Sequence, residues 1–587
     1  MPQKTTKDRL YGLAAVVLLV LAGLAMAKTL FVGLEIDEEY ALSIGYRLVK
    51  GDRLFDSMWE PHQLSALPAA VLVALFMAVT GGTTGVIFFA RVVVLLCKAA
   101  MSTVFYREFR GSLGRRTSFL AALVLFLYTP KWFLGPDYVS QQFHFTVAAF
   151  LCFHHYYTRG FRRPWLMVPG AVCACLSFLA FPQSIVSAAA LFLGMMILGR
   201  RRGEPKLLGL PRGAVLFVLG CAGCAAAFLA WVLPGMGVGM LLERVSLILN
   251  DPQYGFSTAE RMASLAAQAL DVAKFLAKPL ALAAVLVLVW WLRDRRRRDW
   301  TGRLLGLWCV CSMAECIFCM LRDSSVDVRQ FLPIVVLAGA WAFRGSRGTA
   351  REPLFWLGFL PGIVAYLFIL RSTLLGLAPT FMYLTWPALC GLMAVADREA
   401  HAGPEQDAGG TGTAALLFWI VFLLATRFWC VLITGWQPAS IRDTELKRIT
   451  TGPAAGIWAD VTMADTQEAL ARALEPYAGQ QLLQAIGLMH GSAFMMDEGT
   501  LTVGQATVIS GTDSDPRLIR YYEELPEKIP DVILYDDNEV RDMAAFHAWI
   551  EENIPIADRY TVTYGTASLQ VLVVDKGQEN VYNINRN

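Results

Sequence analysis

The stretch YGLAAVVLLVLAGLAMAKTLFVGLEIDEEY, residues 11–40, joins a long apolar run to a cluster of four carboxylates. Residues 11–34 are almost wholly apolar, and a helix of that length crosses the ~30 Å hydrocarbon core of a bilayer. Lys28 lies close enough to the far end of the run for its side chain to reach the lipid headgroups. The stretch therefore predicts a first transmembrane helix that delivers an acidic segment directly to the membrane surface.

The start of the chain also has features of a secretion signal. Lys4, Lys7 and Arg9 precede the apolar run, and residues 25–27, Ala-Met-Ala, resemble the small-residue site at which signal peptides are cleaved. Many further apolar runs follow, so we expect the first helix to remain uncleaved. With either outcome, the acidic segment that follows is expected to face the outside of the cell.

The composition of the chain agrees with a membrane protein. Of 587 residues, 56% are hydrophobic and only 17% are charged, and the mean hydropathy is +0.47. Soluble proteins usually carry about 25% charged residues. The apolar residues fall in runs of roughly 18 to 24, each long enough to cross a bilayer. These values exclude a soluble globular enzyme, a coiled coil, a disordered chain and a disulfide scaffold.

About thirteen segments are predicted to span the membrane, with the N-terminus inside and the C-terminus outside. A further apolar segment, 64–80, follows Pro61 and contains Pro68. If it spanned, most Lys- and Arg-rich loops would lie outside, against the positive-inside rule, so we expect it to lie in the outer interface. The predicted spans are 11–34, 85–106, 118–135, 139–157, 165–181, 183–199, 213–234, 276–292, 304–321, 331–343, 353–370, 374–396 and 414–434.

The chain divides into a basic membrane part and an acidic C-terminal part. Residues 435–587 carry 11 Lys and Arg against 23 Asp and Glu, and they contain none of the 12 cysteines. Short helical patterns, a strand pattern at 530–535 and an alternating hairpin around Gly565 predict a small α/β domain there. We expect residues 1–434 to form a transmembrane catalytic domain with a long first outer loop, 35–84, and the remainder to form an extracytoplasmic soluble domain.

The first outer loop is the strongest candidate for a functional site. It opens with Glu35-Ile36-Asp37-Glu38-Glu39-Tyr40 at the end of the first span. One interpretation is a solvated helix start, because acidic residues are favourable near helix N-termini. The alternative is a cleft, closed by the segment 64–80, in which carboxylates are partly desolvated. Desolvation makes a carboxylate a better proton acceptor, so the cluster is a candidate general base.

These residues resemble the integral-membrane glycosyltransferases of the GT-C superfamily, and among them protein O-mannosyltransferases and lipid A aminoarabinose transferases. The likeness covers about 430 residues and is mainly architectural, since its motifs are short. It departs from the mannosyltransferase pattern at His62, which follows one proline where that family has His before two. The matching residues are Asp37-Glu38, Tyr40, Gly51, Phe55-Asp56, Pro61-His62-Gln63, Arg91, Asp137-Tyr138 and Val328-Arg329-Gln330-Phe331-Leu332-Pro333.

The resemblance implies transfer of a sugar from a polyprenyl-phosphate donor to an envelope acceptor, a glycan, lipid or protein, by an inverting single displacement. Asp37 is then the expected base, with Glu38 beside it and Asp137 as a second acid in the next outer loop. Arg329 and Arg91 are the implied partners of the leaving phosphate, because guanidinium matches phosphate geometry. The other candidate substrate-binding residues are Arg322, Lys131, His62, Tyr40 and Gln63.

The same residues also have structural explanations. Each basic candidate is compatible with an interfacial side chain that reaches toward lipid headgroups. Asp137 follows Gly135-Pro136 and is compatible with an ordinary helix cap. Glu315 lies inside a predicted span, where a carboxylate is costly and is expected to pair within the bundle or to line a cavity.

Two other classes of function remain open from the sequence. A transporter or flippase of envelope glycolipids is the main alternative, although no internal repeat is found in the sequence. A non-enzymatic assembly or sensor protein is the second. We expect no metal, no cofactor and no nucleic-acid partner. We further expect a multi-pass protein of a plasma membrane, bacterial in origin, whose partners are the lipid-linked donor, the acceptor and membrane lipids.

Overall fold

The structure is a computed structural model, and it describes residues 6–60, 62–249, 257–293, 300–322, 329–373, 375–401, 410–432, 438–477, 480–484, 493, 495–496, 501–502, 515–535 and 544–576. Within these ranges the membrane part is helical. Its α-helices are α1 Thr6–Phe31, α2 Ile36–Val49, α3 Ala66–Thr80, α4 Val86–Phe109, α5 Arg115–Leu127, α6 Tyr138–Thr158, α7 Met167–Ala180, α8 Ser187–Arg201, α9 Arg212–Val232, α10 Gly237–Leu249, α11 Thr258–Arg293, α12 Trp300–Arg322, α13 Leu332–Ala342, α14 Arg351–Leu354, α15 Leu360–Ser372, α16 Leu377–Thr380, α17 Thr385–Ala400 and α18 Thr411–Trp429.

The prediction of a polytopic helical protein is confirmed. In the described part of the chain, ten helices or joined helical runs are long and apolar enough to cross a membrane. Two shorter apolar helices, Pro164–Ala180 and Leu332–Ala342, accompany them. Each of the thirteen predicted spans contains a helix, but the number of actual crossings, and the side on which each terminus lies, stay predictions.

Of the predicted spans, 118–135 is the one whose difference from the structure bears on the candidate site. Helix α5 ends at Leu127, and residues 128–137 form a loop before α6 begins at Tyr138. Pro130, Gly135 and Pro136 explain this early end, because proline and glycine interrupt helices. This segment, called here the 128–137 loop, carries Lys131 and Asp137 into the candidate site.

Helices α2 and α3 form a closely packed pair that follows α1. A Cβ atom on Gly45 of α2 would lie only 2.7 Å from the backbone of Ala69 in α3, so glycine permits the close approach. Helix α3 has 15 residues and is therefore about 22 Å long, less than the thickness of the hydrocarbon core. The wider segment Gln63–Thr80 is nevertheless apolar enough to cross. Its placement in the outer interface stays a prediction.

The C-terminal region combines helices with a five-stranded sheet of order β10-β11-β9-β7-β8. The predicted terminal hairpin is present, since Tyr564 pairs with Ala567 across Gly565. The described strands are β1 Lys206–Leu207, β2 Leu210–Pro211, β3 Cys430–Leu432, β4 Pro438–Ser440, β5 Leu446–Arg448, β6 Trp458–Asp460, β7 Gln481–Gln484, β8 Leu501–Thr502, β9 Val532–Tyr535, β10 Ile556–Tyr564 and β11 Ala567–Val574. The described helices are α19 Val461–Leu474, α20 Asp515–Glu524 and α21 Ala544–Asn553.

The C-terminal region packs directly on the first outer loop. Tyr40 and Ile44 of α2 share one hydrophobic cluster with Leu470 of α19 and with the sheet residues Val532 and Val571. Burial of apolar side chains is the main force that holds such surfaces together, at about 25 cal/mol per Å². The acidic segment is therefore fixed between the membrane helices on one side and the C-terminal region on the other.

Candidate active site

The acidic segment begins helix α2. Glu35 has extended backbone, and its carboxylate accepts a hydrogen bond of 2.7 Å from the backbone N–H of Asp37, which makes it the N-cap. Glu35 is only 4% exposed. Burial and the neighbouring charge of Asp37 raise the pKa of the Glu35 carboxyl well above its usual range. The helix-cap interpretation thus applies to Glu35.

Asp37 is the accessible carboxylate of this segment. Its side chain is 21% exposed and forms an ion pair with Lys131 of the 128–137 loop. Glu38 and Glu39, in contrast, are completely buried. The three acids diverge because successive residues of a helix point in different directions. Of the acids in this segment, Asp37 therefore has the carboxylate that a substrate in the cleft reaches most readily.

Lys131 connects Asp37 to the second predicted acid. Its ammonium group lies 3.5 Å from Asp137 Oδ2 and 3.9 Å from the ring centre of Tyr138. Burial disfavours its charge, but the nearby carboxylates of Asp37 and Asp137 raise the pKa of the Lys131 ammonium well above its usual range. Lys131 therefore remains a cation in the cleft, beside the accessible Asp37.

Asp137 is the N-cap of α6. Its carboxylate accepts hydrogen bonds from the backbone N–H of Ser140 at 3.0 Å and of Val139 at 3.2 Å. Burial raises the pKa of the Asp137 carboxyl, although Lys131 and the bond from Ser140 oppose this shift. Asp137 is completely buried, so it holds the start of α6 and Lys131 in place and is not directly accessible to substrate.

Glu38 and Arg91 form a buried bidentate ion pair. The guanidinium of Arg91 donates to Glu38 Oε1 at 2.7 Å and to Oε2 at 2.6 Å. Its remaining N–H groups donate to the backbone carbonyls of Thr29, Leu30 and Gly33 at the end of α1. All five donors of Arg91 are thereby used within the protein. This geometry ties α1, α2 and α4 together and leaves Arg91 no donor for a phosphate.

His62 and Gln63 organise the far side of the first outer loop. The ring of His62 stacks on Tyr138 with a centroid distance of 3.8 Å and meets Tyr40 edge-on. Burial, assisted by the charge of Lys131, lowers the pKa of His62 to about 4, so the ring is neutral at physiological pH. Gln63 is completely buried and accepts a hydrogen bond from the backbone N–H of Phe55 at 2.7 Å. The structure thus places these residues as supports of the cleft.

Arg329 and Arg322, two of the predicted substrate-binding residues, lie in different parts of the structure. Arg329 is partly exposed and donates a hydrogen bond of 3.3 Å to the carbonyl of Pro130, one residue from Lys131. Arg322 is exposed at the end of α12, and no contact among the described residues brings it to Asp37 or Lys131. The structure pairs Asp37 with Lys131 and places Arg329 against Pro130 of the same loop, with Arg322 outside this group.

Further cations hold the 128–137 loop from within the membrane part. Arg427 of α18 donates hydrogen bonds to the carbonyl of Trp132 and to the hydroxyl of Thr129. Lys98 of α4 donates to the carbonyl of Tyr128 at 2.5 Å. Both side chains lie inside predicted spans, where a charged residue is costly and marks a functional or structural role. The sequence contained this signal, but the prediction did not use it.

A groove runs from the 128–137 loop into the membrane part, with about 720 Å³ of empty space, open solvent at its mouth included. It is bounded by α6, α7, α8, α15 and α17, and none of its described lining residues is charged. One face of α6 supplies residues from Val139 to Phe153, which corresponds to a length of about 21 Å. Pro130 lines its upper end, beside Lys131 and Arg329, together with Tyr383 of the segment before α17.

The described residues contain no group of three or more His, Cys, Asp or Glu side chains arranged to hold a metal ion. Glu35, Asp37 and Glu38 have instead the separate protein partners given above, and Glu39 accepts a hydrogen bond from Gln467. Carboxylates that are paired with ammonium, guanidinium and N–H groups are suited to ion pairing and proton transfer.

Comparison with known proteins gives similarity to solved structures alone. No family model and no curated protein sequence matches the chain. The model is similar to the Archaeoglobus fulgidus oligosaccharyltransferase tethered with an acceptor peptide containing the NVT sequon, at 12% identity and a TM-score of 0.42, over 94% of this chain and 74% of that one. The crystal structure of that enzyme with Zn and sulfate gives 12% identity and a TM-score of 0.37, over 93% and 72%.

A third similar structure is ArnT from Cupriavidus metallidurans bound to undecaprenyl phosphate. It gives 14% identity and a TM-score of 0.36, over 96% of this chain and 98% of that one. With TM-scores below 0.5 the likeness assigns no role to any residue, so the roles below rest on the geometry of the site.

Proposed function

We propose that the chain is a membrane glycosyltransferase that moves a sugar from a polyprenyl-phosphate donor to an envelope acceptor on the outer face of a plasma membrane. The observation that carries this proposal is the uncharged groove that ends beside Lys131 and Arg329. A long isoprenoid chain suits the groove, and its phosphate suits the two cations at the upper end. The accessible carboxylate of Asp37 is paired with the same Lys131.

Asp37 is assigned as the base because each of the other acids has a structural partner inside the protein. Glu35 caps α2, and Asp137 caps α6. Glu38 pairs with Arg91, and Glu39 accepts a hydrogen bond of 2.6 Å from Gln467 of the C-terminal region. We therefore keep Asp37 as the base, and we assign Glu38 and Asp137 positioning roles in place of the catalytic roles expected from the sequence.

The proposed reaction is a single displacement with inversion. Asp37 takes the proton of the acceptor hydroxyl while that oxygen forms a bond to the anomeric carbon of the donor sugar. The bond between this carbon and the phosphate oxygen breaks, and polyprenyl phosphate leaves with one more negative charge than it carried in the donor. Lys131 and Arg329 stabilise this developing charge, which is the kind of interaction that lowers a barrier most.

We expect Arg329→Gln to weaken donor binding by about 10- to 100-fold, because a charge-assisted hydrogen bond contributes roughly 1.5–3 kcal/mol. Binding of a polyprenyl-phosphate sugar to the purified protein measures this. Arg53→Gln is the matched control, since Arg53 is an exposed arginine of the first outer loop that donates to the carbonyl of Pro234. Equal affinities of the two variants would remove Arg329 from the donor site.

We expect Ala365→Phe to raise the KM for a long-chain donor by about tenfold, because overfilling a packed site typically costs 1–3 kcal/mol. Ala365 lines the groove on α15, whereas Leu367 of the same helix is 58% exposed and faces away. Leu367→Phe is therefore the control. A truncated short-chain donor should be used equally well by both variants. If Ala365→Phe impairs the short-chain donor to the same extent, the groove does not hold the lipid chain.

The alternative, a glycolipid transporter, is separated from the proposal by product formation. Purified protein in detergent has no two compartments, so transport leaves the donor intact there, whereas a transferase consumes it. Release of polyprenyl phosphate by the wild type, and its loss in Asp37→Asn, supports the transferase. An intact donor in the presence of candidate acceptors from the envelope would favour the transporter.

A further inference from the structure

A second cavity lies at the ends of α1 and α18 that adjoin the candidate site. It has about 380 Å³ of empty space, open solvent at its mouth included, and is called here the α1–α18 cavity. Lys28 of α1 and Arg427 of α18 line it, together with Trp132 of the 128–137 loop and Cys430 of β3. Pro130 of the same loop lines the groove, so the loop is a shared wall between the two spaces.

The α1–α18 cavity carries positive charge without a counter-charge. None of its described lining residues is Asp or Glu. Lys28 donates to the backbone carbonyls of Arg427 at 2.7 Å, Phe428 at 3.5 Å and Cys430 at 2.6 Å, which are neutral partners. Arg427 donates to the neutral groups of Trp132 and Thr129. In the described structure, these two cations therefore meet no carboxylate.

Arg427 has donor capacity left for a ligand. Arg427 is only 5% exposed, and its Nε–H has no hydrogen-bond partner in the described structure. A buried cation without a counter-charge is unfavourable, and an unused buried donor adds a further cost of about 1–3 kcal/mol. A bound anion that accepts from Arg427 relieves both.

The surroundings of the cavity favour a lipid as the source of that anion. Phe31 at the end of α1 is 44% exposed, and Phe428 of α18 is 40% exposed. Apolar side chains exposed at the end of a membrane helix are suited to contact with lipid chains. Both α1 and α18 are long and apolar enough to cross a membrane, so we expect a cavity at their ends to lie at the level of the lipid headgroups.

We propose that the α1–α18 cavity binds the phosphate group of a lipid headgroup, which accepts a hydrogen bond from Arg427 and is attracted by the charge of Lys28. This site goes beyond the proposed function, because the donor phosphate is assigned to Lys131 and Arg329 on the groove side of the loop. The phosphate of an acceptor glycolipid and that of a bulk phospholipid share this chemistry. Since Trp132 neighbours Lys131, an occupant of the cavity also steadies the loop that carries the donor-site cation.

Cys430 provides a test that leaves the chain unaltered. It lines the cavity, so an occupant should slow its alkylation by N-ethylmaleimide, measured by peptide mass spectrometry on delipidated protein in detergent. Phosphatidic acid should protect Cys430, whereas diacylglycerol, which lacks the phosphate, should not. Cys97, an exposed cysteine of α4, is the internal reference and should react at the same rate in every sample.

A pair of variants tests the part played by Arg427. Arg427→Gln should raise the concentration of phosphatidic acid needed for half-protection by about 10- to 100-fold. Arg442→Gln, which removes an exposed arginine near Trp429, should leave it unchanged. If Arg427→Gln does not fold, the comparison of the two lipids on the wild type still decides the proposal.

The outcomes separate the sources of the anion. Protection by phosphatidylglycerol equal to that by phosphatidic acid supports a bulk phospholipid, and a clear preference for a terminal phosphate supports a phosphate-bearing acceptor. Protection by inorganic phosphate alone overturns the assignment to a lipid. Equal protection by diacylglycerol, or none by any lipid, overturns the anion site altogether. Sugar transfer is not measured, so these results are independent of the proposed function.

Discussion

Asp37→Asn is expected to lower the rate of sugar transfer by about 10²–10⁴-fold, which corresponds to roughly 3–5 kcal/mol of activation free energy. The asparagine keeps the shape of the side chain and a hydrogen-bond acceptor for Lys131, but it no longer takes a proton from the acceptor hydroxyl. The measurement is turnover of a polyprenyl-phosphate sugar in detergent at saturating donor. Binding of the donor should change much less than turnover, because Lys131 and Arg329 remain.

Asp56→Asn is the matched control for this prediction. Asp56 is a partly exposed residue of the same outer loop, and its backbone carbonyl, not its side chain, accepts the hydrogen bond of Trp59. The same isosteric change there should leave turnover close to that of the wild type. If Asp37→Asn retains near-native turnover while donor is consumed, Asp37 is not the base. Glu35 is then the next residue to test, since it lies beside Asp37 in the cleft.

The sequence predicted the parts of the site that depend on local pattern. The apolar run of α1 and the carboxylates that follow it were sufficient to predict a helix start at a membrane boundary. Both interpretations of the acids apply, but to different residues. Glu35 and Asp137 are caps that satisfy backbone N–H groups, whereas Asp37, only two residues beyond Glu35, has an accessible carboxylate.

The pairings between distant segments were not predictable from the sequence. Lys131 is 94 residues from Asp37, and Arg91 is 53 residues from Glu38. No local periodicity shows which acid a basic residue will meet, so Arg91 was assigned to phosphate, and Lys131 was ranked below Arg329. The groove was not predictable from the sequence either, because it forms only where five helices converge. Lys98 and Arg427 were the exceptions, since a charge inside an apolar run is itself a signal.

The contact between the C-terminal region and α2 also changes how that region is understood. The sequence predicted a separate, acidic and extracytoplasmic domain and left its role open. In the structure, Gln467 donates to Glu39, and Lys528 donates to Asp52 at 2.5 Å. Both bonds reach the loop that carries Asp37. The C-terminal region therefore contributes to the position of the base, in addition to any role in guiding an acceptor.

Glu38→Gln is expected to destabilise the protein by about 3–5 kcal/mol, because it leaves the guanidinium of Arg91 buried without its counter-charge. Thermal unfolding of the detergent-solubilised protein, followed by tryptophan fluorescence, measures the loss. The double variant Glu38→Gln/Arg91→Gln should recover part of it, since the uncompensated charge is then absent. Recovery should be incomplete, because Arg91 also donates to the carbonyls at the end of α1.

The same variant separates a positioning role of Glu38 from a catalytic one. Where Glu38 acts through Arg91, the transfer rate at a temperature well below unfolding should fall modestly, and its pH profile should match that of the wild type. A variant that unfolds at the wild-type temperature but has lost turnover would show that Glu38 itself handles the proton. The carboxylate is completely buried and both of its oxygens accept from Arg91, so the first outcome is the one that the geometry requires.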